Sequence, residues 1–133
     1  MAKEKQPWGF AEAQAAWLGP VREGLPTSLV EQVLASGRLT AVELDRLALP
    51  RKTLAHRRVI GTLTPEQSDR LARILRIVEQ AESTFGDAGK AHAWLRRPSA
   101  VLDGEAPLHR LDTDIGARQV EDLLGRIAHG IAA

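Results

Sequence analysis

Residues 28–61 read SLVEQVLASGRLTAVELDRLALPRKTLAHRRVIG, and this stretch decides the fold. Ser28-Leu-Val-Glu31 has the form of a capping box: the Ser28 hydroxyl can accept the amide of Glu31, whose carboxylate can reach back. Leu29, Val33 and Leu34 then make one apolar stripe. Gly37 supplies a stop, because glycine takes left-handed backbone at little cost. Thr40-Ala-Val-Glu43 repeats the box and opens a short helix that ends near Ala48 and buries Val42 with Leu44 or Leu47. Leu49-Pro50 interrupts the pattern, since proline lacks an amide hydrogen and restricts the residue before it. A third helix follows at once, from about Arg51 to Ile60, and Gly61 ends it. Three short helices this close, about 28–37, 40–48 and 51–60, predict a helix-turn-helix, although its turn lacks the glycine often found there.

Working outward, the remaining chain is also helical. There is no tyrosine, aromatics are 4 %, and no sustained alternation of β-branched and polar residues marks a strand. Residues 1–9 read as loosely ordered; Phe10 to Leu18 reads as a helix carrying Phe10, Ala13 and Trp17, stopped by Gly19-Pro20. Thr64-Pro65-Glu66-Gln67 opens a longer helix in which Leu71, Ile74, Leu75 and Val78 carry the stripe to about Phe85, before Gly86 and Gly89. Lys90 to Arg97 is a short helix with Ala91, Trp94 and Leu95 inward. Pro98-Ser99 and Asp103-Gly104 mark turns, and Pro107 to Leu111 is a single helical turn. The last helix runs from about Asp114 to His129, with Ile115, Val120, Leu124 and Ile127 on one side and Gly130 as its stop.

Composition narrows the function. The 133 residues hold 44 % hydrophobic and 26 % charged side chains, and no cysteine, which removes disulfides, thiolate nucleophiles and Cys-ligated zinc. No apolar run approaches a membrane span, and Met1-Ala-Lys-Glu-Lys-Gln-Pro7 leads into no apolar signal core, so the expected setting is the reducing cytoplasm. Net charge is only +1, from 18 Lys plus Arg against 17 Asp plus Glu, but the distribution is uneven. Arg46, Arg51, Lys52, Arg57, Arg58, Arg70, Arg73 and Arg76 are opposed in their stretch only by Glu66 and Asp69, whereas acidic residues dominate after Leu102. A basic middle followed by a mildly acidic tail suggests two surfaces with different partners.

In a helix-turn-helix the outward residues of the second helix must reach base edges and its flanks must meet phosphates. With Leu54 facing the core, Arg51, Lys52, Thr53, His56, Arg57 and Arg58 face outward, and no acidic residue lies between Arg46 and Gly61. Arginine can read a guanine edge with two hydrogen bonds; lysine and threonine suit phosphates. The competing reading is a solvated basic face on an ordinary helical bundle.

Catalytic chemistry has little support. His56, His92, His109 and His129 have no partner at metal-ligand spacing, and no metal, cofactor, phosphate-binding glycine loop or nucleophile elbow is expected. Asp112-Thr-Asp114 is better read as a helix cap than as the start of a calcium loop. Trp94, Leu95, Leu102, Leu108 and Ile115 fit either a core or a binding surface. Leu123, Leu124, Ile127, Ala128 and Ile131 widen the last apolar stripe, which invites a partner protein or a second copy.

Taken together, Leu54-Ala-His-Arg-Arg58, Leu63-Thr-Pro-Glu-Gln-Ser-Asp-Arg-Leu71, Phe85-Gly86, Ala93-Trp-Leu95 with Pro98, Pro107-Leu108, Gly116, Val120, Leu124-Gly-Arg-Ile127 and His129-Gly130 resemble the Xre-type antitoxins of bacterial RES–Xre toxin–antitoxin pairs. The resemblance covers roughly Gly24 to Ile131, and its C-terminal motif is the more specific half. It implies an all-α chain: an extension over 1–24, an Xre-like helix-turn-helix domain over 25–86 that contacts operator DNA, and a small toxin-binding domain over 87–133. The implied partner is a RES-domain enzyme that consumes NAD, blocked at its active site, with the antitoxin forming a homodimer within the complex. Carried onto this sequence, the toxin-binding positions are Trp94, Leu95, Leu108, Gly116, Val120, Leu124, Ile127, Gly130 and Ile131. Ser99 and Thr113 fit the pattern, Asp114-Ile115 stand where a glutamate is more usual, and the segment before Gly24 has no counterpart. The rival expectation is a stand-alone transcription regulator whose C-terminal helices only dimerise.

Overall fold

The computed structural model describes residues 15–130, and there it is helical, with no strand beyond an isolated bridge between Pro26 and Thr62. Seven α-helices follow one another: α1 Leu18–Glu23, α2 Thr27–Ser36, α3 Ala41–Leu47, α4 Arg51–Ile60, α5 Pro65–Phe85, α6 Ala88–Arg96 and α7 Asp114–Ala128. Single 3-10 helices lie at Ala15–Trp17, Ala100–Leu102 and Pro107–Asp112.

The long α5 organises the rest. Thr64 and Gln67 close both halves of a capping box, and Pro65 sits in the first turn where its missing amide costs nothing. Leu71, Ile74, Leu75 and Val78 are buried as expected, and Ser68, Ile77 and Ala81 join them, so α5 is enclosed on a wide face. α1, α6, α7 and the 3-10 helix Pro107–Asp112 all pack on it. One continuous apolar core therefore runs from Leu25 through Leu71 and Leu95 to Leu124, shared by both ends of the chain. Buried Ser68 accepts the amide of Leu25 at 2.8 Å and ties the start of the bundle to α5.

Four expectations are corrected here. The Ser28 box does not form: α2 begins at Thr27, whose amide and hydroxyl both donate to the Gly61 carbonyl, at 3.0 and 3.2 Å. That tertiary contact fixes the helix start, and Glu31 instead pairs with Arg58 at 2.8 Å. Gly19-Pro20 does not end a helix; both lie inside α1, where Pro20 is the third residue and its amide would have had no helical partner. The part of the predicted first helix before Ala15, with Trp8, Phe10 and Ala13, lies outside the described residues. Val42 is 67 % exposed, while Leu44 and Leu47 supply the inward face of α3. Ile115 is 74 % exposed. It precedes Val120 by five residues, about 140° round the helix from it, so it cannot share that face.

Candidate nucleic-acid and toxin interfaces

The α3–α4 corner is built without glycine. Ala48 keeps right-handed backbone (φ −105°, ψ −62°), and Ala48 and Leu49 are buried, so the corner needs no residue with positive φ. The Thr40–Glu43 box forms at one end of α3. At the other end the Arg70 guanidinium, from α5, donates to the Ala48 carbonyl at 2.8 Å. The Asp45 carboxylate accepts the Arg51 amide at 2.6 Å, capping α4 from the preceding helix. Leu54 is the buried anchor of α4.

The six residues expected to face DNA separate into two groups. Arg51, Lys52 and His56 are exposed, Thr53 is half-buried, and none of these side chains makes a hydrogen bond or ion pair among the described residues. Arg57 is half-buried, and its Nε donates to the Thr62 carbonyl at 2.7 Å, closing the C-terminal end of α4. Arg58 is exposed but paired with Glu31. Arg46 on α3 is a further exposed cation without an intramolecular partner among the described residues. The sequence placed it in the basic run but not among the contacts. Four free groups, Arg46, Arg51, Lys52 and His56, thus surround one helix corner, a form suited to a polyanion.

The expected toxin-facing residues sort differently. Leu95, Leu108, Val120 and Leu124 are each at most 1 % exposed and belong to the core, so they shape a surface from behind and do not present it. Leu123 is buried too, which means that the stripe on α7 is mostly consumed by packing on α5. Gly116 is a close-approach position: a Cβ there would lie 1.9 Å from the Arg110 carbonyl oxygen. Trp94 is half-buried, with its ring 5.5 Å from that of Phe85, and Ile127 is half-buried against the core. Gly130 is exposed with φ 71°, and Ile131 lies outside the described residues. Val101, which the sequence reading did not single out, and Ile115, which it left open between core and binding surface, are exposed apolar side chains of this half. The 3-10 helix that carries Val101 and the α7 helix that carries Ile115 are both held by Arg110, which donates to the Leu102 carbonyl and to Gln119 and pairs with Glu105 at 3.0 Å.

Between the halves lies a network of charges. Arg96 of α6 grips Glu43 of α3 with two 2.8 Å hydrogen bonds. Burial acts to raise the Glu43 carboxyl, but hydrogen bonds from Arg96 and Thr40 and the Arg96 charge outweigh it and hold the group below its ordinary value. The hydrogen bonds to Glu43 and its charge, outweighing burial, raise Arg96. Arg38 reaches Glu79 and Glu82, and Glu82 also meets His92 Nε2 at 2.7 Å. Arg76 of α5 pairs with Glu121 of α7. Among the described residues no cluster of three His, Asp or Glu could hold a metal, and no helix is long and apolar enough to cross a membrane. A shallow depression lined by Pro65, Glu66, Asp69, Arg70 and Arg73 mixes both signs of charge.

Residues 16–76 match the antitoxin Xre-like helix-turn-helix domain, and residues 80–130 match the antitoxin Xre/MbcA/ParS C-terminal toxin-binding domain. The chain is 38 % identical over 111 residues to the antitoxin Xre of Pseudomonas putida, covering 83 % of this chain and 69 % of that one. The chain belongs to the Xre antitoxin family. Antitoxin Xre of Yersinia enterocolitica is 33 % identical over 114 residues, 84 % of this chain and 77 % of the relative. Antitoxin Xre of Photorhabdus laumondii is 33 % identical over 129 residues, 94 % and 87 %. The all-α expectation and the family resemblance hold, and the family is one of antitoxins, not enzymes. The two matched regions meet inside α5, the helix whose faces hold the common core.

Proposed function

We propose that this antitoxin has two tasks carried by its two ends. The α3–α4 corner binds promoter DNA of its own operon, with Arg51 and His56 at base edges and Lys52 and Arg46 at phosphates. The C-terminal half neutralises a RES-type, NAD-degrading toxin by steric occlusion, the segment from about Gly125 to Ala133 covering the cofactor pocket. The antitoxin acts in the cytoplasm, as a homodimer within the toxin complex. The observation that carries the DNA assignment is the set of cations at that corner with no intramolecular partner among the described residues, where Arg57 and Arg58 are committed. The toxin assignment is supported by the match of 80–130 to a toxin-binding domain.

Deleting 130–133 tests occlusion while leaving α7 whole. In cells expressing the neighbouring toxin gene, the truncated chain should still co-purify with toxin yet no longer protect growth. Full protection by the truncated chain would count against occlusion by this segment. If no protein co-purifies with the intact chain, the stand-alone regulator becomes the better reading.

A further inference from the structure

The turn between α2 and α3 is held from outside the helix-turn-helix. Arg96, the last residue of α6, lies in the toxin-binding region, yet its Nε and Nη2 each sit 2.8 Å from a Glu43 carboxylate oxygen. Its Nη2 also donates to the Arg38 carbonyl at 3.2 Å. Glu43 is at the same time the box partner of α3, accepting the Thr40 amide at 2.9 Å. One planar guanidinium therefore fixes both the carbonyl that leads into the turn and the carboxylate that caps the next helix. The pair is less than a third exposed on either side, so water and salt screen it less than a surface pair. Lysine could keep the charge but could not present the two parallel donors.

We propose that Arg96 is a positioning residue for DNA recognition: it holds the first turn of α3 through Glu43, and α3 in turn sets the pitch of α4. Arg96 touches no DNA in this scheme. The proposal rests on the reading of α4 as the DNA-reading helix. α3 is seven residues long and is fixed at its far end by Arg70 on the Ala48 carbonyl. Releasing its near end leaves one clamp where there were two. The depressed Glu43 carboxyl agrees with an ion pair that is formed and maintained in the folded chain.

The test uses the full chain and a labelled duplex carrying the DNA immediately upstream of its own reading frame, with binding followed by fluorescence anisotropy across a salt series. Arg96→Met should weaken binding about fivefold, the scale of a lost helix cap, and leave the log–log salt slope unchanged because no phosphate contact is lost. Arg96→Lys should recover only part of the affinity. Glu43→Gln keeps the cap but not the charge and should act in the same direction, and the double variant should be no worse than the weaker single one. Hydrogen exchange at the Thr40 and Glu43 amides should quicken in Arg96→Met. Should Arg96→Met fail to fold, Glu43→Gln decides alone. Wild-type affinity in Glu43→Gln and Arg96→Met, with Lys52→Ala impaired, overturns the proposal and spares the reading of α4. A flattened slope in Arg96→Met makes Arg96 a phosphate contact and also overturns it. Unimpaired binding by Lys52→Ala removes the reading of α4 itself, and this proposal with it.

Discussion

Replacing Gly116 by alanine places a methyl carbon 1.9 Å from the Arg110 carbonyl oxygen, 2.9 Å from its carbonyl carbon and 3.0 Å from the Thr113 hydroxyl. Two of the three obstacles are backbone, so no side chain can swing aside, and α7 must lift from the 3-10 helix Pro107–Asp112 by more than an ångström. Overpacking of this kind costs about 1–3 kcal/mol. The lift also endangers the Thr113 cap, which accepts the Gly116 amide at 2.9 Å and contributes about 1 kcal/mol. The expected loss is about 2–4 kcal/mol, a fall in Tm of roughly 8–16 °C for a chain of this length. Gly125 in the same helix provides the control. A Cβ there meets nothing within 4 Å, so Gly125→Ala should gain about 0.5–1 kcal/mol from helix propensity alone. Thermal unfolding followed by circular dichroism reads both. Equal shifts in the two variants, or a Tm that falls in Gly125→Ala and not in Gly116→Ala, would refute the close-approach argument.

Three further outcomes are expected. Arg51→Ala with Lys52→Ala should reduce the salt slope of DNA binding by about 1.8 if both meet phosphates, or about 0.9 if Arg51 reads a base; an unchanged slope together with unchanged affinity would remove both from the interface. Leu124→Ala should cost about 2–5 kcal/mol in a denaturant melt, because the side chain is fully enclosed, whereas Ile115→Ala should leave stability within about 0.5 kcal/mol and show any effect only in toxin binding. Acid should weaken the chain through Glu43. A carboxyl depressed by folding lends stability that is complete above its ordinary value of about 4.5 and disappears as pH falls through the lower folded value. The Tm gap between wild type and Glu43→Gln should therefore shrink below about pH 4; a constant gap down to pH 2 would contradict the ion pair.

Much of the fold was legible because local chemistry and the final structure agree. The Thr40 and Thr64 boxes and the stops at Gly37, Gly61 and Gly86 need only neighbouring residues, and all are present. Ser28 failed for the opposite reason: the start of α2 is settled by the Gly61 carbonyl, 34 residues from Thr27. Periodicity located the α7 face but included Ile115 by counting an apolar residue whose phase is wrong. The basic corner could be read from charge alone, while the loss of Arg57 and Arg58 to Thr62 and Glu31 could not, since both partners arrive through tertiary folding. Apolar positions of the C-terminal half were assigned to a partner when the chain's own α5 claims Leu95, Val120 and Leu124. Surface and core share one residue vocabulary, so only packing separates them.

The proposed division of labour gives the cationic α3–α4 corner and the C-terminal half different partners. Its most direct test is a co-purification of tagged Arg46→Ala/Arg51→Ala/Lys52→Ala chain with the neighbouring toxin, followed by a gel shift of the eluted complex on the upstream duplex. Toxin should be recovered at the wild-type ratio and the shift abolished. Loss of toxin together with DNA, or a shift that survives all three substitutions, would contradict it.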